Sequence, residues 1–121
     1  MSPFREGYLY RLCCPAQWDG LRKCEHVPYS PDDAHDGFFH MSTPVQVLET
    51  AAKHYAMHPK LVAIGCPDSA PGELLKWEPS RGGALFPHVY GDVLTEWFDH
   101  LVPLIKQADG YVPVPGAEEN I

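Results

Sequence analysis

Short apolar stretches separated by prolines and glycines organise this chain, and their periodicity is mostly that of strands. Residues 8–14 are rich in aromatic and aliphatic β-formers and predict a first strand. Pro15 ends it and suits the first turn of a helix. Residues 16–23 then place Trp18 and Leu21 three apart, the spacing of a short amphipathic helix. Residues 28–36 hold two prolines and three aspartates and predict a loop. Residues 37–42 predict a second strand. Thr43-Pro44-Val45-Gln46 has the pattern of a helix start, with Thr43 as cap, Pro44 first and Gln46 closing a capping box. That helix is predicted to run to about residue 57, burying a stripe of Val45, Leu48, Ala52 and Tyr55, until Pro59 stops it. The unbroken apolar run 61–66 predicts a central strand.

After a turn at 67–72, residues 73–78 and 85–90 predict a fourth and a fifth strand, joined by a hairpin turn at Ser80-Arg81-Gly82-Gly83. Residues 92–99 fit a helical turn or a loop equally well. Segments 100–106 and 111–114 are predicted as edge strands, because Pro103 and Pro113 suit edges better than a sheet centre. Residues 115–121 are expected to fray. Strands outnumber helices, and both helices come early. The fold class is therefore α+β, a small split or curved mixed β-sheet with two short helices. A length of 121 residues suits one domain, 1–121, with its core at about 8–114.

Composition narrows the function classes. Hydrophobic residues make up 45%, enough for a packed core. No apolar run approaches the roughly 20 residues that span a bilayer. Residues 1–7 lack the basic-then-apolar pattern of a secretion signal, so a cytoplasmic protein is expected. In that compartment Cys13, Cys14, Cys24 and Cys66 are expected to be reduced. Sixteen acids against nine scattered bases give a net charge of −7, which repels a long phosphate backbone. A single nucleotide needs only one or two cations and stays possible. The expected partner is a small molecule, with no long nucleic acid and no membrane; the sequence sets no oligomeric state.

Parity supplies the candidate site. Residues two apart on a strand share a face. In Phe38-Phe39-His40-Met41-Ser42, Phe38, His40 and Ser42 lie together; in Lys76-Trp77-Glu78 the charged pair lies opposite Trp77; in Phe86-Pro87-His88-Val89-Tyr90, Phe86, His88 and Tyr90 lie together. Three strands thus each aim two hydrogen-bonding groups at one side. If the faces converge, they form a partly apolar pocket with a few placed polar groups; otherwise they are the solvated side of a sheet. His40 suits a general base, a ribose partner or a metal ligand, and Ser42 a ligand contact or help to the helix start. Glu78 suits a catalytic carboxylate or an ion pair with Lys76 or Arg81. His54 and His58 are four apart, a metal-capable spacing, but without the intervening glutamate of a zinc-protease helix, and no metal is expected. Nucleophile-elbow, dinucleotide and Walker patterns are absent from the sequence.

Three strings also resemble a known family. Asp36-Gly37-Phe38-Phe39-His40-Met41-Ser42-Thr43, Leu75-Lys76-Trp77-Glu78-Pro79 and Phe86-Pro87-His88-Val89-Tyr90-Gly91 resemble the domain-of-unknown-function family 952 in order and spacing. The resemblance runs from about residue 9 to 114. It implies a fold grouped with the ADP-ribosyltransferase superfamily, a split sheet around an NAD-sized cleft. By that implication Arg11 lies near the position holding the nicotinamide side, and His40-Met41-Ser42 near the segment supporting the ribose. Glu78 or Tyr90 lies nearest the site that orients the acceptor. The family has no established activity, so no reaction is implied.

Three functional readings follow. The first is an enzyme acting on NAD or a similar nucleotide, by ADP-ribosyl or phospho transfer. His40 and Ser42 would bind ribose hydroxyls, Arg11 or Lys76 a phosphate, and Phe38 or Trp77 the base, with Phe86 and Tyr90 lining the pocket. Proton work would fall to Glu78 or His88. The second is a ligand-binding module without a reaction. The third is a metal-dependent hydrolase using His40, His88 and an acid.

Overall fold

The apolar run at 61–66 forms the middle of the larger of two sheets. The computed structural model describes residues 2–121 and, of Arg81, the backbone alone. Strand β3 (Lys60–Pro67) is buried at six consecutive positions. It lies between β1 (Tyr8–Cys13) and β6 (His100–Gln107), antiparallel to both. Its side chains alternate between two cores. Val62, Ile64 and Cys66 join a cluster with Leu9, Trp18, Phe39 and Val89. Leu61 and Ala63 join another with Tyr10, Leu12, Val47, Ala51 and Tyr111. A strand covered on both faces needs apolar residues at every position, which explains the unbroken run.

The outer side of β6 is not an edge. It pairs with β7 (Gly110–Pro113) and with β8 (Glu119–Asn120). Pro103 is tolerated because the Pro103 carbonyl accepts the Val114 N–H on that side, so its missing N–H faces the gap between the two short partners. The segment at 115–121, expected to fray, instead supplies β8.

The smaller sheet has the order β2 (Phe39–His40), β5 (Leu85–Val89), β4 (Leu75–Pro79). All strand pairings among the described residues are antiparallel, so the mixed sheet expected from sequence is corrected to two antiparallel ones. Tyr10 and Ser42 tie the sheets together by two backbone hydrogen bonds of 2.8 and 2.9 Å.

Three α-helices are present among the described residues where two were expected: α1 (Pro15–Leu21), α2 (Pro31–Asp36) and α3 (Val47–His54). The predicted loop at 28–36 becomes α2 because Ser30 and Asp33 cap it reciprocally: Ser30 Oγ accepts the Asp33 N–H and the Asp33 carboxylate accepts the Ser30 N–H. Pro31 occupies the first turn, and Gly37 closes the helix at φ 84°. Thr43 and Gln46 exchange the expected capping bonds, but regular helix starts only at Val47. Val47 and Ala51 are its buried residues; Val45 is 91% exposed and Ala52 is exposed, which corrects the predicted stripe. Leu48 and Tyr55 do pack against that core. The region 92–99 contains one 3-10 turn, Thr95–Trp97. All four cysteines are free, and burial pushes the Cys13 and Cys66 thiols up to about 12. No described helix is long and apolar enough to cross a membrane.

Candidate functional site

The Tyr10–Ser42 junction places α2, α3, β1, β2 and β5 around one cleft of ≈ 400 Å³. His40 and His88 are direct cross-strand partners, and their rings meet edge to face at 5.7 Å. The strand parity therefore does bring both histidines to one side of the small sheet. Phe38 stacks on His88 at 3.9 Å and 22°, and Tyr90 lies 5.2 Å from Phe38.

One group of side chains centres on Asp33, which is 1% exposed. Arg11 reaches it from β1 with two N–H groups, at 3.0 and 2.7 Å, and also donates to the His40 carbonyl at 2.9 Å. The guanidinium lies over the Phe39 ring at 4.2 Å. His40 donates its backbone N–H to Asp33 at 3.1 Å and its Nδ1–H at 2.6 Å. The other ring nitrogen, Nε2, donates to Asp36 at 2.8 Å. Carboxylates only accept, so both ring nitrogens carry protons and His40 is an imidazolium. Its pKa is raised, first by the Asp33 hydrogen bond, against the opposing effect of burial. Burial pushes the Asp33 carboxyl up, but hydrogen bonds from His40 and Arg11 and the Arg11 charge outweigh it and hold it well below the usual range.

The second group centres on Glu78. Its Oε1 accepts from Tyr90 at 2.7 Å and from His88 Nδ1 at 2.8 Å. Those two bonds, Tyr90's first, hold the Glu78 carboxyl below its ordinary value, and Glu78 in turn raises the Tyr90 phenol. With Nδ1–H donated to Glu78, Nε2 is the ring nitrogen left for exchange with a ligand. That nitrogen has no hydrogen bond among the described residues. His88 is 5% exposed and lines the cleft. Lys76 rests 4.9 Å from the Tyr90 ring centre. A pairing of Glu78 with the Arg81 side chain lies outside the described residues.

Of the residues singled out from sequence, Arg11, His40, Ser42, His54, Phe86 and His88 line the cleft. Phe38, Lys76, Glu78 and Tyr90 are not among the lining residues; Phe38 stacks on His88, and Glu78 bonds both His88 and Tyr90. Trp77 takes the opposite face of β4 and is 46% exposed, so it does not stack on anything in the cleft. Arg11 is spent on Asp33 and is not a free phosphate ligand. Ser42 is buried and donates to Thr50 at 3.2 Å. The sequence reading missed Asp33 and Asp36, and the wall made by Glu49, Thr50 and Lys53 of α3 with Tyr55 just beyond it. Only Asp33 left a signal, the Ser-x-x-Asp capping spacing from Ser30. His54 ends α3 and His58 lies beyond it, so they share no helical face. No three metal-binding side chains cluster among the described residues.

The model of a family described as Protein of unknown function (DUF952) matches residues 12–100. The crystal structure of protein CC0527 from Caulobacter crescentus is similar at 38% identity, over 90% of this chain and 95% of that one, with a TM-score of 0.78. The crystal structure of a double mutant of the same protein gives the same values. Its solution NMR structure matches at 37% identity over 87% and 90%, with a TM-score of 0.74. No curated protein matches the chain.

Proposed function

This chain belongs to the DUF952 family, and because membership assigns no reaction, we propose from the cleft itself that it binds a nucleoside-sized polar molecule, with His88 as the acid–base group. The observation that carries this reading is the Glu78–His88 pair. A carboxylate holds Nδ1–H, and the other ring nitrogen is left for a ligand. A cleft of ≈ 400 Å³ lies within the range of small-ligand pockets, about 300–1,000 Å³. Ser30, Ser42, Thr50 and Ser80 supply hydroxyls around it, suited to a ribose.

Charge narrows the ligand further. Among the described cleft residues, Arg11 is held by Asp33, the His40 imidazolium by Asp33 and Asp36, and Lys53 by Glu49, at 2.8 Å. The Lys53 pair is exposed, and such pairs exchange partners easily. Asp32, Asp36 and Glu49 line the same space. The cleft therefore favours a neutral or cationic nucleoside over a diphosphate. NAD-dependent ADP-ribosyl transfer, implied by the ADP-ribosyltransferase-like resemblance, needs a carboxylate beside the ribose. Glu78 is outside the cleft lining, its Oε1 taken by Tyr90 and His88. A binding module without a reaction is the second reading, favoured by His40 having both ring nitrogens engaged by the protein.

Titration calorimetry with adenosine, nicotinamide riboside and NAD, alongside chromatography for NAD cleavage, tests both. The expected result is binding of the two nucleosides, weaker binding of NAD, and loss of about tenfold or more in affinity for His88→Ala. Equal nucleoside affinity in His88→Ala overturns the assignment. NAD cleavage abolished by Glu78→Gln restores the transferase reading.

A further inference from the structure

The outer edge of β4 carries an unpaired peptide and an exposed tryptophan. Tyr90 N–H bonds the Leu74 carbonyl and Ser80 N–H bonds the Ala84 carbonyl. Even-numbered residues of β4 thus face β5, and the N–H and carbonyl of Trp77 point away from the sheet. No described residue bonds either group. The Trp77 side chain lies beside Pro79 and Leu85 on the face away from the cleft, and Leu85 is 53% exposed. An open edge beside exposed apolar side chains invites another strand.

The sequence of this edge specifies which strand. Two copies of β4 laid antiparallel about Trp77 put Trp77 opposite the partner's Trp77, Leu75 opposite the partner's Pro79, and Lys76 opposite the partner's Glu78. The Trp77 pair lies on the two-fold axis and the other two matches each occur twice by symmetry, as an isologous contact requires. A one-residue slip moves the tryptophans to opposite faces and sets lysine off glutamate. Leu75 already gives its N–H to Gly72, and Pro79 has none. The backbone therefore supplies two hydrogen bonds, both at Trp77, while the apolar and charged side-chain pairs select the register.

We propose that a second copy of this chain docks on β4, joining the two small sheets into one continuous sheet of six strands. The partner's Lys76 then reaches the Glu78 carboxylate, which holds His88 Nδ1, so each copy completes the outer side of the other's pair. The docking stands on the edge alone; only its consequence for His88 rests on the proposed function.

Sedimentation velocity of the full chain over a wide concentration range provides the test. A monomer–dimer equilibrium is expected, weakened about tenfold or more in Trp77→Ala. Lys76→Glu and Glu78→Lys each place like charges opposite one another and are expected to sediment as monomers. Mixed together, they pair glutamate with lysine at both positions and are expected to form a heterodimer. Circular dichroism of each variant confirms folding. A wild-type chain that stays monomeric at the highest concentration overturns the proposal, whether or not it captures strands from other proteins. So does a mixture that associates no better than its components. Neither result bears on nucleoside binding, which calorimetry reads separately.

Discussion

Removal of Asp33 is the most informative perturbation of this fold. Its carboxylate is 1% exposed and accepts from Arg11 twice, from the Ser30 and His40 backbone, and from the His40 ring. These bonds join β1 of one sheet, β2 of the other and the first turn of α2. In Asp33→Ala the Arg11 side chain, 13% exposed, keeps its charge and loses its carboxylate. Breaking a buried pair from one side costs about 3–5 kcal/mol, because the remaining charge stays desolvated. Against a total stability of roughly 5–15 kcal/mol this is a large fraction. Urea denaturation followed by circular dichroism measures it. With a slope of about 1.5 kcal/mol/M, the midpoint falls by about 2–3 M. The folded-state carboxyl lies below its ordinary 3.8. The stabilisation is therefore complete above about pH 4 and is lost as pH falls through the depressed folded value. Asp33→Ala should flatten that acid limb of the stability curve. A loss under about 1 kcal/mol, with the limb unchanged, refutes the idea that this carboxylate clamps the sheets.

Two further outcomes check other parts of the structure. A Cβ at Gly65 would meet the Tyr10 ring, its Cδ1 at 2.9 Å, so Gly65→Ala should destabilise by about 1–3 kcal/mol in the same urea assay. The two buried-side histidines should titrate in opposite directions by NMR: His40 above 6.5, where the Asp33 bond raises it, and His100 below 6.5, where burial lowers it. The His100 Nδ1 lies 2.8 Å from the Tyr10 hydroxyl, which also accepts the Arg5 N–H. His100's contribution is thus present above pH 6.5 and lost as pH falls through its depressed value; His40's is present below 6.5 and lost as pH rises through its raised one.

The elements legible in the sequence were those whose environment is uniform along their length. Residues 61–66 are buried on both faces, so hydropathy alone marks β3 as central. The β4–β5 hairpin was announced by its glycine turn and by alternation on either side. Where several influences compete, the pattern misled. Pro103 suggested an edge, yet β6 sits inside the sheet because its outer partners are two short strands with a gap at the proline. Helix α2 was hidden because Ser30, Pro31 and the aspartates that cap its start are the same residues that make loops. The stripe on α3 was misplaced because Val45 belongs to the capping turn, before the helical phase is set at Val47.

The candidate site divides in the same way. Parity was enough to put His40 and His88 on one face, because a β-strand fixes side-chain direction locally and the small sheet pairs those two residues directly. What each histidine can do was not legible, because that depends on carboxylates arriving from elsewhere in the chain. His40 read as a possible base, but Asp33 and Asp36 close from α2 on both its nitrogens and turn it into a fixed cation. His88 meets one carboxylate, Glu78, from the neighbouring strand, and keeps one nitrogen for a ligand. The number of carboxylates around each ring separates a structural cation from a group able to exchange protons. The capping spacing at Ser30 hinted at one of those carboxylates, and only the fold could show where it points.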